Sequence, residues 1–485
     1  IGDLLPDFSN APEFLQSAAE FVKDLDIAIG FDPNIGLMLT GSLQMPGMEL
    51  HLGDYVHFQG DFALNIGQSF VGNMYTGIPG DVTTAKSLIR NLVGQIPVTD
   101  ILELLGLPSN IPGLDLSDPG KLVDSLFNLI ETELQVSPDW SRLGGVGFQG
   151  VTIGAANVSG FIGMGEGIDL NRPFDEQDVV GFGLENLDLG IAIMKANLQL
   201  FGQTIQTEQF YSIGGHLDQV GLYGLGDVMK VRASDVTLQI QQGGQLFGGV
   251  MRATADYKSS FPEQPSTNGN PAVPAGLKID TGGEPVYLDL EGNDLINVDV
   301  GKAVIQISEF LHLQGSLSFR MGDVYNAALD LGGLGPIVDQ VAAALGSVAN
   351  PNLDLTLNPF PLQMEAITIG GANLTGFVGI GGPYRYGDDL VGEIDELTGL
   401  PIPDGLPDKI NENAIGLVID NVDFGVAVMQ STLLDLIPNS ASYTPKFISA
   451  KASIGEAGLV GVDENILSAE LKDVEVNINT MFWCV

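Results

Sequence analysis

Two stretches of this chain decide its fold class: YVHFQGDFALNIG at Tyr55 to Gly67 and FLHLQGSLSFRMG at Phe310 to Gly322. They share a histidine, a glutamine and two glycines at the same places, and apolar residues alternate with other residues around the first glycine. Alternation with a period of two is typical of a β-strand with one buried face. The sequence therefore predicts the same strand twice in one chain.

Three further echoes follow in the same order, separated by spacers of different length. They are VTIGAANVSGFIG from Val151 and ITIGGANLTGFVG from Ile367; GFGLENLDLG from Gly181 and GLVIDNVDFG from Gly416; and VGLYGLGDVMKVRASDVTLQIQ from Val220 and AGLVGVDENILSAELKDVEVNIN from Ala457. One copy is longer than the roughly 20 to 50 residues of a usual solenoid repeat. We expect two domain-sized modules in tandem, each in contact mainly with its neighbours.

The predicted fold is mainly β: an elongated stack of tandem-repeat modules, solenoid-like or sandwich-like, with inserted amphipathic helices. Apolar stripes with helical spacing predict helices over 12–25, 83–93, 118–134 and 336–345. Asp118 is the expected N-cap of the third helix, with Pro119 at its first position. In GLVIDNVDFG, Asp420 and Asn421 interrupt the alternation and predict a turn or bulge. In the last strand, Val474, Val476 and Ile478 alternate with polar residues, which predicts one solvated face. Its counterpart in the first copy has the same pattern, with Val236, Leu238 and Ile240 alternating with Thr237, Gln239 and Gln241.

Composition shifts divide the chain into four parts. Residues 1–30 form an N-terminal helical segment, and 31–258 the first module with a helical insertion at about 83–134. Residues 259–276 are rich in proline and are expected to be a linker. Residues 277–485 form the second module. The chain begins at Ile1 with no signal-peptide pattern and ends at Val485 directly after a strand pattern, so we expect it to be part of a longer protein.

Charge and cysteine content exclude several classes of function. The chain carries 19 basic and 61 acidic residues, a formal net charge of −42, which disfavours nucleic acids and anionic membranes as partners. Its 44% hydrophobic residues predict a folded core. Cys484 is the only cysteine, so an internal disulfide and a cysteine-based metal site are excluded. No apolar run approaches the length of a membrane span. The excess of acidic residues and the low lysine content are typical of an extracellular or cell-surface protein.

Clusters of acidic residues are the candidate metal ligands. Oxygen-rich loops can bind calcium, which takes 6 to 8 oxygen ligands. The chain has no EF-hand loop and no calcium-binding nonapeptide, so a diffuse atmosphere of counterions is the competing interpretation. The candidate calcium ligands are Asp175, Glu176, Asp178, Asp289, Glu291, Asp294, Asp388 and Asp389.

Two other pairs of residues recur at matching positions. Asn157 and Asn373 begin N-glycosylation sequons, although asparagine and glycine around a turn explain them without glycosylation. His57 and His312 also match, but one imidazole per copy is a poor metal site. We expect both histidines on the solvated face of a strand.

Catalytic motifs are missing from the sequence. There is no nucleophile elbow, no phosphate-binding loop and no H-E-x-x-H. Glycoside hydrolysis needs two carboxyl groups about 5 to 10 Å apart. Asp188 matches Asp423, and Asp235 matches Asp473, but each stands singly between apolar residues. We therefore expect no enzyme activity and no certain cofactor.

The blocks resemble the repeats of giant bacterial tandem-repeat surface proteins, described as filamentous-haemagglutinin-like or LEPR-XLL-type. The resemblance rests on HFQGDFALNIG from His57, ITIGGANLTGFVGIGG from Ile367, GLVIDNVDFGVAVM from Gly416 and FISAKASIGEAGLVGVDENILSAELKDVEVNIN from Phe447. It covers most of the chain outside the N-terminal helix and the helical insertion, and that insertion departs from the family's pattern.

The resemblance implies a very large adhesin-like protein with no catalytic residues. We therefore expect a structural segment that forms a fibre, sheath or adhesive stalk, with neighbouring repeats or copies of itself, and surface glycans, as partners. One alternative is a carbohydrate- or lipid-binding module, although Trp140 and Trp483 are too isolated for a lectin site. A polysaccharide-cleaving β-helix enzyme is the second alternative.

Overall fold

The computed structural model describes residues 41–52, 55–76, 86, 90, 97–104, 111–134, 140–165, 167–200, 203–225, 228–246, 251–266, 271–329, 360–386, 409–431, 445–462 and 469–483. The helices predicted over 12–25 and 336–345 lie outside these ranges, as does most of the one predicted over 83–93.

The described chain is mainly β. Its strands are β1 (Gly41–Leu52), β2 (Val56–Tyr75), β3 (Arg142–Gly165), β4 (Val179–Leu200), β5 (Gln203–Gln206), β6 (Phe210–Tyr223), β7 (Met229–Gln242), β8 (Gly244–Leu246), β9 (Met251–Asp256), β10 (Leu277–Ile279), β11 (Val286–Leu288), β12 (Leu295–Ile307), β13 (Leu311–Leu329), β14 (Phe360–Ile380), β15 (Arg385–Tyr386), β16 (Lys409–Ile410), β17 (Ile415–Ser431), β18 (Pro445–Val460) and β19 (Glu470–Trp483). The helices are α1 (Val98–Leu104), α2 (Pro119–Leu134) and the four-residue α3 (Tyr257–Ser260).

The long strands form one antiparallel sheet in which neighbours along the chain are mostly neighbours in space. Its order is β1-β2-β3-β4-β6-β7-β12-β13-β14-β17-β18-β19, with β5 beside β4 and β9 beside the end of β2. We call β1, β2, β3, β4, β6 and β7 the first strand group, and β12, β13, β14, β17, β18 and β19 the second strand group. The echoed sequence blocks lie on matching strands of the two groups. The groups meet where β7 pairs with β12.

A line of β-bulges crosses the sheet at one level. The register of nearly every long strand pair is interrupted there, and Asn or Asp residues with positive φ occupy the interruptions. Asn and Asp enter this left-handed region more easily than other residues with a side chain. A bulge bends its strand and increases the local twist. The six residues are Asn157, Asn186, Asp235, Asn373, Asn421 and Asp473. The bulge predicted at Asn421 is therefore confirmed.

The helical insertion packs on one face of the first strand group. Asp118 caps α2, because its carboxylate accepts the backbone N–H of Lys121 at 2.9 Å, as the sequence predicts. The apolar side of α2 joins buried residues of the sheet in the main core, with Phe127 against Trp140 at 4.4 Å between ring centroids. Helices placed on one face turn that face of the sheet into a core.

The segment between the two strand groups folds back onto the same face. Strand β9 pairs with β2, and the β10–β11 hairpin packs on the first strand group with Leu277, Ile279 and Leu288 in the main core. Within the predicted linker, Gln264 and Val273 exchange two backbone hydrogen bonds of 2.9 Å. We call the face beneath this segment and the helices the covered face; it includes Gly190.

Two predictions about solvated faces are wrong. Gln241, on the polar side of β7, is only 2% exposed because the covered face lies on that side. In β19 the opposite error occurs: the apolar side chains of Val476 and Ile478 are 43% and 51% exposed. Among the described strands β19 pairs only with β18, so it has a neighbouring strand on one side alone.

Candidate functional site

Aspartates beside the bulges hold the two sequon asparagines in place. Asp188 accepts the backbone N–H of Asn157 at 2.9 Å, and Asp423 accepts that of Asn373 at the same distance. Both asparagines are exposed and have positive φ. The matching Asp residues of the two groups thus stabilise a backbone turn, since a carboxylate is a strong acceptor for an N–H group. Glycosylation of Asn157 and Asn373 stays a prediction.

The predicted calcium ligands are spread over separate contacts. Asp175 pairs with Arg232 at 2.7 Å and Glu291 with Lys258 at 2.7 Å, while Asp294 accepts the backbone N–H of Gly243 at 2.5 Å. Glu176 lies 3.7 Å from an arginine, Asp289 accepts a glutamine amide, and Asp178 is exposed. Asp388 and Asp389 lie outside the described residues. Within the described ranges, no three acidic or histidine side chains gather as a metal site.

The two matching histidines differ in their surroundings. His312 is 4% exposed, so the expectation of a solvated position is wrong for this residue. It pairs across strands with Phe377, a member of a small buried cluster. Burial, together with the charge of Lys230, lowers the pKa of His312. His57 is partly buried, with its Nδ1 atom 2.7 Å from that of His51.

A partly buried polar cluster lies in the first strand group, on the far side of the bulge line from the main core. The guanidinium of Arg232 bonds Asp175 and stacks 5.0 Å from the ring centroid of Tyr223. Burial, and to a smaller extent the negative charge of Asp175, raises the pKa of Glu185. Burial, and to a smaller extent the negative charge of Glu185, raises the pKa of Tyr223 to about 12. A carboxyl group with a raised pKa is a candidate general acid.

The second strand group does not repeat this polar cluster. The positions that match Glu185, Tyr223 and Arg232 hold Asp420, Val460 and Glu470. In the first group the cluster connects the short helical turn Phe174–Glu176 to the sheet, with the Phe174 ring packed between those of Phe161 and Tyr223. Its geometry therefore serves the attachment of that turn.

Exposed apolar side chains form the same small patch in both strand groups. They are direct cross-strand neighbours near the strand ends, on the far side of the bulge line from the main core. Each patch consists of four residues that are 40% to 61% exposed: Ile162, Met164, Val180 and Phe182 in the first group, and Val378, Ile380, Ile415 and Leu417 in the second. An exposed apolar patch is a candidate contact surface.

A groove of about 620 Å³ lies on the second strand group, where β14, β17, β18 and β19 run side by side. Its floor carries small and polar residues, among them Gly370, Gly425 and Ser449. Cavities of roughly 300 to 1,000 Å³ are the usual size of binding sites. Sequence reasoning missed the groove, because its openness depends on which segments cover the sheet.

Comparison with known proteins gives no family: no protein-family model, curated protein or solved structure matches this chain. The resemblance to giant surface proteins therefore stays a prediction. Among the described residues, no helix combines the length and the apolar character that crossing a bilayer requires.

Proposed function

We propose that this chain is a structural segment of a larger extracellular or cell-surface repeat protein, in which six-strand units join edge to edge and build a fibre, sheath or adhesive stalk. Its partners are then neighbouring repeats or copies of itself. The role needs no catalytic residue and no cofactor.

The observation that carries the proposal is the junction between β7 and β12. These strands pair continuously from Met229↔Ile307 to Gln241↔Leu295, interrupted only at the bulge line. The junction is therefore an antiparallel strand pair like β6–β7 and β17–β18 inside the strand groups, which are also interrupted only at the bulge line. Backbone pairing of this kind joins one unit to the next without a special connecting domain.

The same geometry can be repeated at β19. In the second strand group β19 matches β7 of the first, and among the described strands it pairs only with β18. An unpaired edge offers a row of N–H and C=O groups to another strand. A strand like β12 in a neighbouring unit fits this edge as β12 fits β7. Such head-to-tail addition is heterologous and generates open assemblies.

The net charge of −42 gives this assembly a dependence on cations. Like charges on adjoining units repel one another, and dissolved salt screens that repulsion within about 10 Å at 0.1 M ionic strength. Calcium, held by carboxylates on the surface, is part of the proposal as a counterion that favours association.

Electron microscopy and small-angle X-ray scattering of the purified chain test the assembly, with and without a calcium chelator. We expect filaments, or elongated oligomers, whose length increases with salt and decreases with chelation. A monomer at all concentrations and salt conditions would contradict the proposal.

Two proline variants in β19 identify the edge that joins the units. Successive residues of an antiparallel strand direct their backbone groups to opposite sides, and proline removes the N–H donor. One of Val476→Pro and Asn477→Pro therefore disturbs the pairing with β18, and the other blocks the outer edge. We expect the variant that blocks the outer edge to keep its circular dichroism spectrum and lose assembly. Assembly by a variant that keeps its spectrum, at the level of the unaltered chain, would refute pairing at this edge.

A lipid-binding module is the second candidate function, favoured by the apolar patches around Phe182 and Leu417. Incubation with vesicles of neutral phosphatidylcholine, followed by flotation, tests it. Binding that is lost in Phe182→Ser together with Leu417→Ser would support this function, whereas an equal lack of binding by both proteins would exclude it.

A further inference from the structure

The covered face of the first strand group and the groove of the second lie on the same face of one continuous sheet, at matching positions of the two groups. In the first group, one row across the sheet runs Thr152–Ala192–Ser212–Gln241, and in the second the matching row runs Thr368–Ala427–Ser449–Asn479. The parallel rows are Ala63–Gly154–Gly190–Gly214 and Ser318–Gly370–Gly425–Lys451. The chemistry of the first row is retained almost residue for residue.

A hairpin fills this surface in the first strand group. A Cβ atom on Gly154 would lie 2.1 Å from the carbonyl oxygen of Asp280, and one on Gly190 would lie 3.1 Å from Val286. A Cβ atom on Gly214 would lie 2.7 Å from Cδ2 of Leu288. The glycines of the row are therefore needed for β10 and β11 to contact the sheet backbone.

The buried row beneath the hairpin also bonds the segment that covers it. The Nε2 group of Gln241 donates to the carbonyl oxygen of Ala255 at 2.9 Å, and its Oε1 accepts the N–H of Gly292 at 3.0 Å. Gln241 also lies 3.4 Å from the hydroxyl of Ser212. All four residues of this row are at most 2% exposed.

Among the described residues, no segment covers the matching surface of the second strand group. No described atom lies within 4 Å of a Cβ placed on Gly425, and the nearest to one on Gly370 belongs to the sheet itself, the Phe424 carbonyl oxygen at 3.7 Å. The Ser449 hydroxyl donates to Oδ1 of Asn479 at 3.2 Å, at the place where Ser212 accepts from Gln241 in the first group. The small residues are thus present, while the described part of the chain places no hairpin over them as it does in the first group.

We propose that the groove over Gly370 and Gly425 is an acceptor site for a separate β-hairpin of the same kind as Leu277–Leu288, supplied by a neighbouring protein segment. The seated hairpin in the first strand group is the argument for this occupant: the same molecule shows which structure covers this surface. The site is distinct from the β19 edge, so the proposal holds or fails without edge-to-edge assembly.

One substitution specifies the occupant further. Lys451 stands where Gly214 admits Leu288, and its ammonium group now lies 2.8 Å from Glu475. A leucine in the Leu288 position of a bound hairpin would meet this lysine, whereas a carboxylate there would pair with it. The preferred hairpin therefore has aliphatic residues over the two glycines and an acidic residue opposite Lys451.

Two synthetic peptides test the site in the full chain. Each is a cyclised hairpin with the sequence of residues 276–290, one natural and one carrying Leu288→Glu, and each has a fluorescent label. Cyclisation is needed because an isolated hairpin is only marginally stable in water. We expect saturable binding by fluorescence anisotropy, with the Leu288→Glu peptide at least tenfold tighter than the natural one.

Gly425→Val is the decisive variant, with Gly458→Ala as its control. The valine enters open space, so folding should be retained, and we expect binding to weaken at least tenfold. Gly458 lies outside the groove, and an added Cβ there meets only the Ala469 carbonyl oxygen at 3.4 Å. Its variant should bind as the unaltered chain does.

Four outcomes would overturn the proposal. They are absence of saturable binding, equal binding by Gly425→Val, and photo-crosslinks from the peptide to the first strand group, which would show exchange with the resident hairpin. The fourth is dimerisation of the chain that Gly425→Val abolishes, because it would assign the groove to a second copy.

Discussion

The two strand groups have the same arrangement of strands, but one face of the first group is buried and the matching face of the second is accessible. The first is packed under helices and the β10–β11 hairpin, with Thr152 and Gln241 completely buried, while the matching Thr368 and Asn479 of the second remain accessible. The bulge line is the same in both. The strand pattern thus determines the bending and pairing of the sheet, whereas inserted and connecting segments determine which face becomes a core.

We expect the largest difference in stability between the two groups when valine replaces one matching glycine in each of them. At Gly154 an added Cβ would meet the Asp280 carbonyl oxygen at 2.1 Å, so the hairpin must move. Overpacking of a core typically costs about 1–3 kcal/mol, and we expect Gly154→Val to lose about 3 kcal/mol in urea unfolding. Gly370→Val has room and should change stability by less than about 0.5 kcal/mol. Equal losses would mean that the two faces are equally packed.

The buried glutamine gives the next largest contrast. Gln241→Ala leaves the carbonyl of Ala255 and the N–H of Gly292 without this partner, and an unpaired buried polar group costs about 1–3 kcal/mol. We expect a loss of about 2 kcal/mol, together with faster hydrogen exchange of the Gly292 amide. Asn479→Ala, on the accessible row, is the matched control and should stay within about 0.5 kcal/mol.

The sequence pattern predicts where the strands lie, but it does not predict which segments pack on the faces of the sheet. Alternation and glycine positions locate each echoed block on a strand, and Asp118 and Pro119 locate the start of α2, because these signals are local. The alternation places Gln241 on the solvated side of its strand, yet the segment that contains Ala255 and Gly292 covers it. Period-two alternation separates two faces but does not say which face receives a helix or hairpin.

The candidate sites show the same limit. Acidic clusters are visible in the sequence, but pairing of Asp175 with Arg232, and of Glu291 with Lys258, depends on contacts between distant strands and loops. The groove over Gly425 carries no chemical motif at all. Its only sequence signal is the repetition of glycine, alanine and serine at matching positions, and that signal becomes meaningful once the hairpin is seen over Gly190.

The bulge line supplies a prediction in which both groups should behave alike. Asn186 and Asn421 occupy matching bulges with φ of 56° and 52°. A left-handed conformation costs an ordinary L-residue about 1–2 kcal/mol, and asparagine and glycine less. We expect Asn186→Ala and Asn421→Ala each to lose about 1 kcal/mol in denaturant unfolding, and the two glycine variants to lose almost nothing. A loss confined to one group would show that the bulges are not equivalent.

The smallest effect concerns pH and His312. Burial lowers the pKa of this imidazole in the folded chain below the ordinary 6.5, so the unfolded chain binds a proton more readily. The contribution of neutral His312 to stability is therefore complete above about pH 6.5 and is lost as the pH falls toward its folded pKa. We expect the unaltered chain to lose more stability than His312→Leu between pH 7.5 and 5.

Thermal unfolding of both proteins across this pH range measures the difference. Glu185, whose pKa is raised, contributes with the opposite sign, but it is common to both proteins and cancels in the comparison. His57→Leu serves as the control at the matching, less buried position. If His312→Leu and the unaltered chain show parallel pH profiles, burial of His312 does not control acid stability, and the difference between the two histidines is confined to packing.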